Sequence, residues 1–140
     1  MKPIEHTGQQ CVFTYRVRYA ETDQMGTFYN ARALEWFEVG RSELSRKMGV
    51  PYGEWENRGI FLPLVEAHVK YRGRARYDDE LEMTVSAFRL GAVRIQFSNT
   101  VVHVKSRKPV CEGFTIHALV NEDGALVRDP EWLKGLIEEA

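Results

Sequence analysis

One long helical stripe sits in a chain that is otherwise written with a period of two. Tyr29, Ala33, Trp36, Phe37, Gly40, Leu44 and Met48 recur every three or four residues and predict the core-facing side of an amphipathic helix. Gly49 and Pro51 stop it. Gly40 lowers helix propensity in mid-stripe, which implies a close approach of the helix to a sheet. A single helix of this kind buries one side only, so the fold must supply a surface for it to lie on.

The flanking segments supply that surface. Before the helix, residues 11–19 alternate, with Phe13, Tyr15, Val17 and Tyr19 on one face and Thr14, Arg16 and Arg18 on the other. After it, residues 64–77 place Val65, Ala67, Val69, Tyr71, Gly73, Ala75 and Tyr77 at odd positions, with Glu66, His68, Lys70, Arg72, Arg74 and Arg76 between them. Further strand-like runs cover 80–89, 92–105 and 110–120, broken at Tyr77-Asp78-Asp79, Leu90-Gly91 and Ser106 to Pro109. Asp129-Pro130-Glu131 reads as an N-cap, a first-turn proline and a dipole-matched acid opening a short terminal helix. The order is strand, long helix, then four strands in a meander: an α+β chain with a five-stranded antiparallel sheet across one helix. So small a sheet leaves edge strands exposed, and pairing with a second copy is the expected cover.

The bulk numbers fit one domain over residues 1–140. A chain of 140 residues with 44% hydrophobic content can bury one real core. Nineteen basic residues balance twenty acidic ones, and the net charge of −1 argues against a nucleic-acid binder driven by global charge. No apolar run has the length of a membrane span. Residues 1–6 lack the apolar core of a signal peptide, so a cytoplasmic location is expected. Cys11 and Cys111 have no metal-ligand spacing and read as buried thiols. His68, His103 and His117 fall within strands without metal spacing and read as structural. No Gly-x-Ser-x-Gly elbow is present.

Between the first strand and the helix lies a polar loop, Tyr19-Ala20-Glu21-Thr22-Asp23-Gln24-Met25-Gly26-Thr27-Phe28-Tyr29-Asn30. Asp23 there is either a turn former or a carboxylate aimed, with the amides of a helix start, at one point. Glu21 and Thr22 read as shaping the loop, and Asn30 as a residue able to cap the helix through its side chain.

Tyr-x-Glu-Thr-Asp-x-x-Gly-x-x-Tyr followed by a helix carrying Glu35-Trp36-Phe37-Glu38 and Arg41, and later Ala75-Arg76-Tyr77-Asp78-Asp79-Glu80-Leu81, resembles the hot-dog-fold acyl-CoA thioesterases. The resemblance is to the 4-hydroxybenzoyl-CoA and Tol-Pal-associated groups, and it runs from about residue 12 to 120. It implies a sheet wrapped around the long helix and a homo-oligomer, either a dimer or a dimer of dimers. It also implies an acyl-CoA substrate and no metal or redox cofactor. It assigns Asp23 as nucleophile or general base, Gly26 as the loop glycine that lets backbone approach the substrate, and the Asn30 amide as the donor to the thioester oxygen. Two departures stand out: Asn30 replaces the histidine of the Tol-Pal-associated group, and Ala33 replaces its helix tyrosine. The positions that grip CoA phosphates in the 4-hydroxybenzoyl-CoA group fall on Gly91 and Ala92. Basic residues left to take that role are Arg72 and Arg74 on the strand face, and Arg89 and Arg94 beside the Leu90-Gly91 turn. Two other readings stay open: an acyl carrier protein as the donor, and a binding module without turnover.

Overall fold

The computed structural model of the chain describes residues 9–140; the signal-peptide reading of residues 1–6 lies outside them. Its strands are β1 (Gln9–Arg16), β2 (Leu64–Tyr71), β3 (Glu80–Arg89), β4 (Arg94–His103) and β5 (Pro109–Ala118). Its helices are α1 (Arg32–Lys47), α2 (Tyr52–Asn57) and α3 (Glu131–Leu136). The five strands form one antiparallel sheet in the order β1-β3-β4-β5-β2.

α1 lies against this sheet as its stripe requires. Ala33, Trp36 and Phe37 pack with Val17, Leu81, Met83, Val101 and Val110 at one end of the sheet. Leu44 packs at the other with Val85, Ala87, Ile95, Phe97 and Leu119, where Trp55 of α2 and Leu133 of α3 close the core. Gly40 sits where helix and sheet come closest: a Cβ there would stand 3.3 Å from Asn99 Oδ1 and 3.5 Å from Val85 Cβ. One long helix held in a five-stranded antiparallel sheet is the hot-dog arrangement.

Several boundaries differ from the sequence reading, each for a local reason. β1 ends at Arg16, and Tyr19 opens a 3₁₀ turn that turns its ring out to 77% exposure. Tyr29 is likewise exposed, because α1 begins only at Arg32. Asn30 makes no side-chain cap; Ala31 occupies that position with helical backbone angles. α2 is an element the periodicity did not predict, and Trp55, its anchor, is fully buried with the indole Nε1 donating to Val50 O at 2.8 Å.

The four-strand meander is corrected to three strands. β3, β4 and β5 are consecutive neighbours, but β2 crosses to the far side of β5, while β1 takes the edge beside β3. β2 also stops at Tyr71 rather than at 77. The amides of Arg72 and Gly73 both donate to Val110 O, so the ladder advances no further, and a Cβ on Gly73 would lie 2.6 Å from Pro109 O. Arg74 and Arg76 therefore do not extend a charged strand face; they flank buried Ala75 in the crossing segment. Finally, Pro130 is the residue preceding α3, and Asp129 is buried in an ion pair instead of capping the helix.

Candidate functional site

The polar loop between β1 and α1 is held from both sides. Glu21, only 1% exposed, accepts hydrogen bonds from the Arg18 amide at 2.7 Å, Tyr15 Oη at 2.8 Å and Trp36 Nε1 at 2.7 Å. Burial alone would push its carboxyl up, but those three donors and the Arg18 charge outweigh it and hold the group below the usual carboxylate range. Glu21 thus fastens the loop to strand and helix at once.

Residues 22–28 then form a small hairpin. Thr22 and Phe28 bridge, and the Asp23 amide donates to Thr27 O at 2.8 Å. Phe28 is buried against the Trp36 ring, with centroids 4.7 Å apart. The Phe28 amide donates to Ala75 O at 2.9 Å, and Thr27 Oγ1 accepts from the Ala75 amide at 3.2 Å. These bonds lay the crossing segment alongside the hairpin.

Asp23 itself is half-buried. One carboxylate oxygen accepts the Met25 amide at 2.8 Å, the turn-forming contact such a residue makes; the other has no hydrogen-bond partner among the described residues. Gly26 has φ +77° with open space around it, so glycine is required there by the backbone angle and not by crowding. The Asn30 amide precedes α1, is exposed and has no acceptor among the described residues, while its carbonyl accepts from Tyr71 Oη. A carboxylate oxygen and an amide at the positive end of a 16-residue helix are therefore both without a protein partner among the described residues, in the same loop.

The four arginines divide. Arg74 lies at this end of the sheet with its guanidinium unpaired among the described residues. Arg72 is beside it, but its Nε donates to Glu112 Oε1 at 2.8 Å in a largely covered ion pair. Arg89 is corrected to a structural role: its guanidinium binds buried Asp129 and, at 2.8 Å, the Ile137 carbonyl. Arg94 is exposed and unpaired among the described residues, but it starts β4. Both Arg89 and Arg94 thus lie one strand length, about 30 Å, from the Asp23 end.

His68, His103 and His117 have structural partners in this chain. Leu62 O can only accept, so His117 Nδ1 carries the proton at 3.0 Å, and Nε2 accepts from Thr115 Oγ1, also at 3.0 Å. Burial, with Arg41 nearby, lowers His117 to about 4, so the ring is neutral near pH 7. His103 Nε2 donates to Arg74 O at 2.7 Å, and His68 stacks on Phe114. Among the described residues no cluster of three metal-binding side chains occurs. Cys111 is buried with its thiol pushed up to about 12, and burial raises Cys11 as well. No described helix is long and apolar enough to cross a membrane.

The sequence reading named Glu21 as a loop shaper without its partners, and gave Arg41 no role in this region. The Glu21 carboxylate organises the loop through Trp36, a pairing that neither residue's neighbours in sequence signal. Arg41 was visible only as part of a motif, and in the fold it lies beside His117 in a cleft between α1 and the sheet.

Known proteins resemble the chain in sequence and fold. The chain is 43% identical over 63 residues to a Bacillus subtilis protein provisionally named an acyl-CoA thioesterase, an alignment spanning 45% of this chain and 46% of that protein. It is 27% identical over 130 residues to the 1,4-dihydroxy-2-naphthoyl-CoA hydrolase of Thermosynechococcus vestitus, covering 89% of this chain and 88% of that one. Among solved structures, a hypothetical protein from Thermus thermophilus superposes with a TM-score of 0.80 at 31% identity, covering 89% and 92% of the two chains. The family model described as the Thioesterase-like superfamily matches residues 17–137, and the chain belongs to that family of thioester hydrolases.

Proposed function

We propose that the protein hydrolyses an acyl-CoA to the free acid and CoA at the loop carrying Asp23. The observation that carries this reading is the pairing of a spare Asp23 carboxylate oxygen with the unused Asn30 amide at the start of α1. Asp23 either attacks the thioester carbonyl carbon or takes a proton from a water that does. In both cases the carbonyl electrons move onto oxygen, where the Asn30 amide and the helix dipole stabilise the charge; one such donor contributes about 3 kcal/mol. Collapse breaks the C–S bond, and CoA leaves as a thiolate. If Asp23 attacked directly, water then cleaves the acyl-aspartyl anhydride and restores the carboxylate.

Gly26, at φ +77°, keeps the hairpin turned between the two groups. Of the four arginines, Arg74 is the one at this end left to meet the nucleotide phosphates of CoA. Arg94 meets them only from a second copy. The CoA donor is favoured by the Bacillus and Thermosynechococcus relatives, whose names specify CoA thioesters.

The working form is a homo-oligomer joined at the edge strand β2. Its outer edge is unpaired among the described residues, and Leu64, Val65 and Tyr71 are 53%, 59% and 45% exposed. Tyr71 also bonds Asn30, so this edge adjoins the catalytic loop.

Thiol release from short, long and aromatic acyl-CoAs tests the reaction. The wild type is expected to release thiol, and Asp23→Asn to lose at least about a hundredfold in kcat with CoA affinity retained. Unchanged turnover in Asp23→Asn would remove Asp23 from the mechanism.

A further inference from the structure

α1 continues past the Asp23 loop, and its later turns face a cavity of about 140 Å³. Arg41, Ser42, Ser45, Tyr52, Phe97 and His117 line it, with Glu38 and Leu62. An adjoining opening shares Glu38, Arg41 and His117 and reaches Leu64 on β2.

The chemistry of this lining is lopsided. Arg41 brings five N–H donors and a charge, yet it has no hydrogen bond or ion pair among the described residues; its one specific contact is the Phe97 ring, 6.0 Å from Cζ to centroid. Burial pulls its guanidinium below the usual arginine range, against the opposing pull of Glu38 and Tyr52. Ser45 is 3% exposed, and its hydroxyl is also without a partner among the described residues. Tyr52 Oη accepts the Leu62 amide at 3.3 Å, which leaves its own proton to give. His117 brings neither charge nor a spare donor, since both ring nitrogens are used. Glu38, the acid in the lining, is exposed and makes no ion pair with Arg41. A half-buried guanidinium whose donors open on a cleft suits a carboxylate, which answers it with two parallel hydrogen bonds.

We propose that this cleft is a carboxylate-binding site, in which Arg41 takes the carboxylate of a small organic acid. The Tyr52 and Ser45 hydroxyls complete its hydrogen bonds, and the Phe97 and Leu62 side chains meet its apolar body. Along α1, Arg41 lies about 16 Å from Asn30. The carboxylate therefore comes either from a free acid or from the far end of a long acyl group held at Asp23. Only the second source rests on the thioesterase reading.

The test starts with binding, which needs no turnover. Benzoate and adipate are titrated by calorimetry and by ligand-observed NMR, with benzamide and adipamide as uncharged controls. The acids are expected to bind saturably and the amides not. Arg41→Met should weaken the acids at least about tenfold, Arg41→Lys less, and Ser45→Ala and Tyr52→Phe several-fold each, in keeping with charge-assisted bonds. Asp23→Asn should leave this binding unchanged. If Arg41→Met does not fold, the other three variants decide.

The second arm compares kcat/KM for dodecanedioyl-CoA and dodecanoyl-CoA, whose chains are long enough to reach Arg41 from Asp23. A preference for dodecanedioyl-CoA that Arg41→Lys reduces identifies the distal carboxylate as the ligand; acid binding without such a preference identifies the free acid. Acid binding with no hydrolysis of any acyl-CoA would overturn the thioesterase reading and leave this site standing. The site is overturned if neither acid binds saturably, or if the Arg41 variants bind them as the wild type does. It is equally overturned if those variants change only the association state, which would make Arg41 a contact between copies.

Discussion

At the scale of single residues, two buried titratable groups set how the molecule responds to pH, with opposite chemistry and the same sign. Glu21 is held ionised by three donors, so its contribution is present above the ordinary glutamate range and is lost as pH falls through its lowered folded value. His117 is held neutral: the unfolded chain binds its proton near pH 6.5 and the folded one only near pH 4, so stability falls with pH across that window. Urea melts at closely spaced pH values are expected to show this slope in the wild type and a flatter one in His117→Gln. Glu21→Ala strands the Trp36 indole, the Tyr15 hydroxyl and the Arg18 amide together. A loss of about 2–4 kcal/mol is expected by chemical denaturation, and thiol release should fall with it because the Asp23 hairpin loses its anchor. Both residues carry charge or a ring nitrogen that only the fold explains. In sequence, Glu21 read as a loop shaper and His117 as a structural histidine, and neither reading could name the partners, which lie 15 and 55 residues away for Trp36 and Leu62.

At the scale of elements, the sheet is organised by glycines at close approaches, and two of them behave differently. A Cβ on Gly113 of β5 would stand 2.0 Å from His68 O of β2 and 3.0 Å from the Phe37 ring of α1. Backbone cannot yield there, so Gly113→Ala is expected to cost about 3 kcal/mol and to loosen β2 from β5, read as faster amide exchange in β2. Gly40 faces only the side chains of Asn99 and Val85, both at 3.3 Å or more. Gly40→Ala also gains about 1 kcal/mol in helix propensity, so its stability should stay within about 1 kcal/mol of wild type. The stripe on α1 made Gly40 legible from the sequence. Gly113 was not, because nothing in an alternating strand marks where a second strand and a helix converge. The same limit hid the strand order. Three runs joined by short turns, β3 to β5, followed from periodicity alone, whereas the crossing of β2 to the far edge depends on Gly73 and Val110 meeting across 37 residues. Asp129 shows the converse: local rules made it a helix cap, and a buried guanidinium 40 residues away took it instead.

At the scale of the whole molecule, the candidate site gathers Asp23, Gly26, Asn30 and Arg74 at one end of the sheet, next to the edge strand that the proposed oligomer uses. Val65→Lys, placed at the exposed bulge between Leu64 and Glu66, should shift the protein toward monomer in light scattering at micromolar concentration. If the site is completed at that edge, thiol release per chain should fall with dissociation and recover at higher protein concentration. Activity that stays constant per chain through dissociation would place a complete site within one copy. The loop motif located this end of the molecule from sequence. It could not separate the arginines that remain available from those already committed, since that depends on Glu112 and Asp129, which the fold brings alongside.

The sheet order also sets the timing of assembly. β3, β4 and β5 join through short turns and can zip as they emerge, while β1 and β2 must return across long stretches of chain to flank them. The Asp23 hairpin leads out of one latecomer and is bonded to the segment that follows the other. The candidate catalytic loop is therefore expected to assemble last in folding, and a chain halted at the three-stranded stage would hold only the sheet side of its core and none of its chemistry.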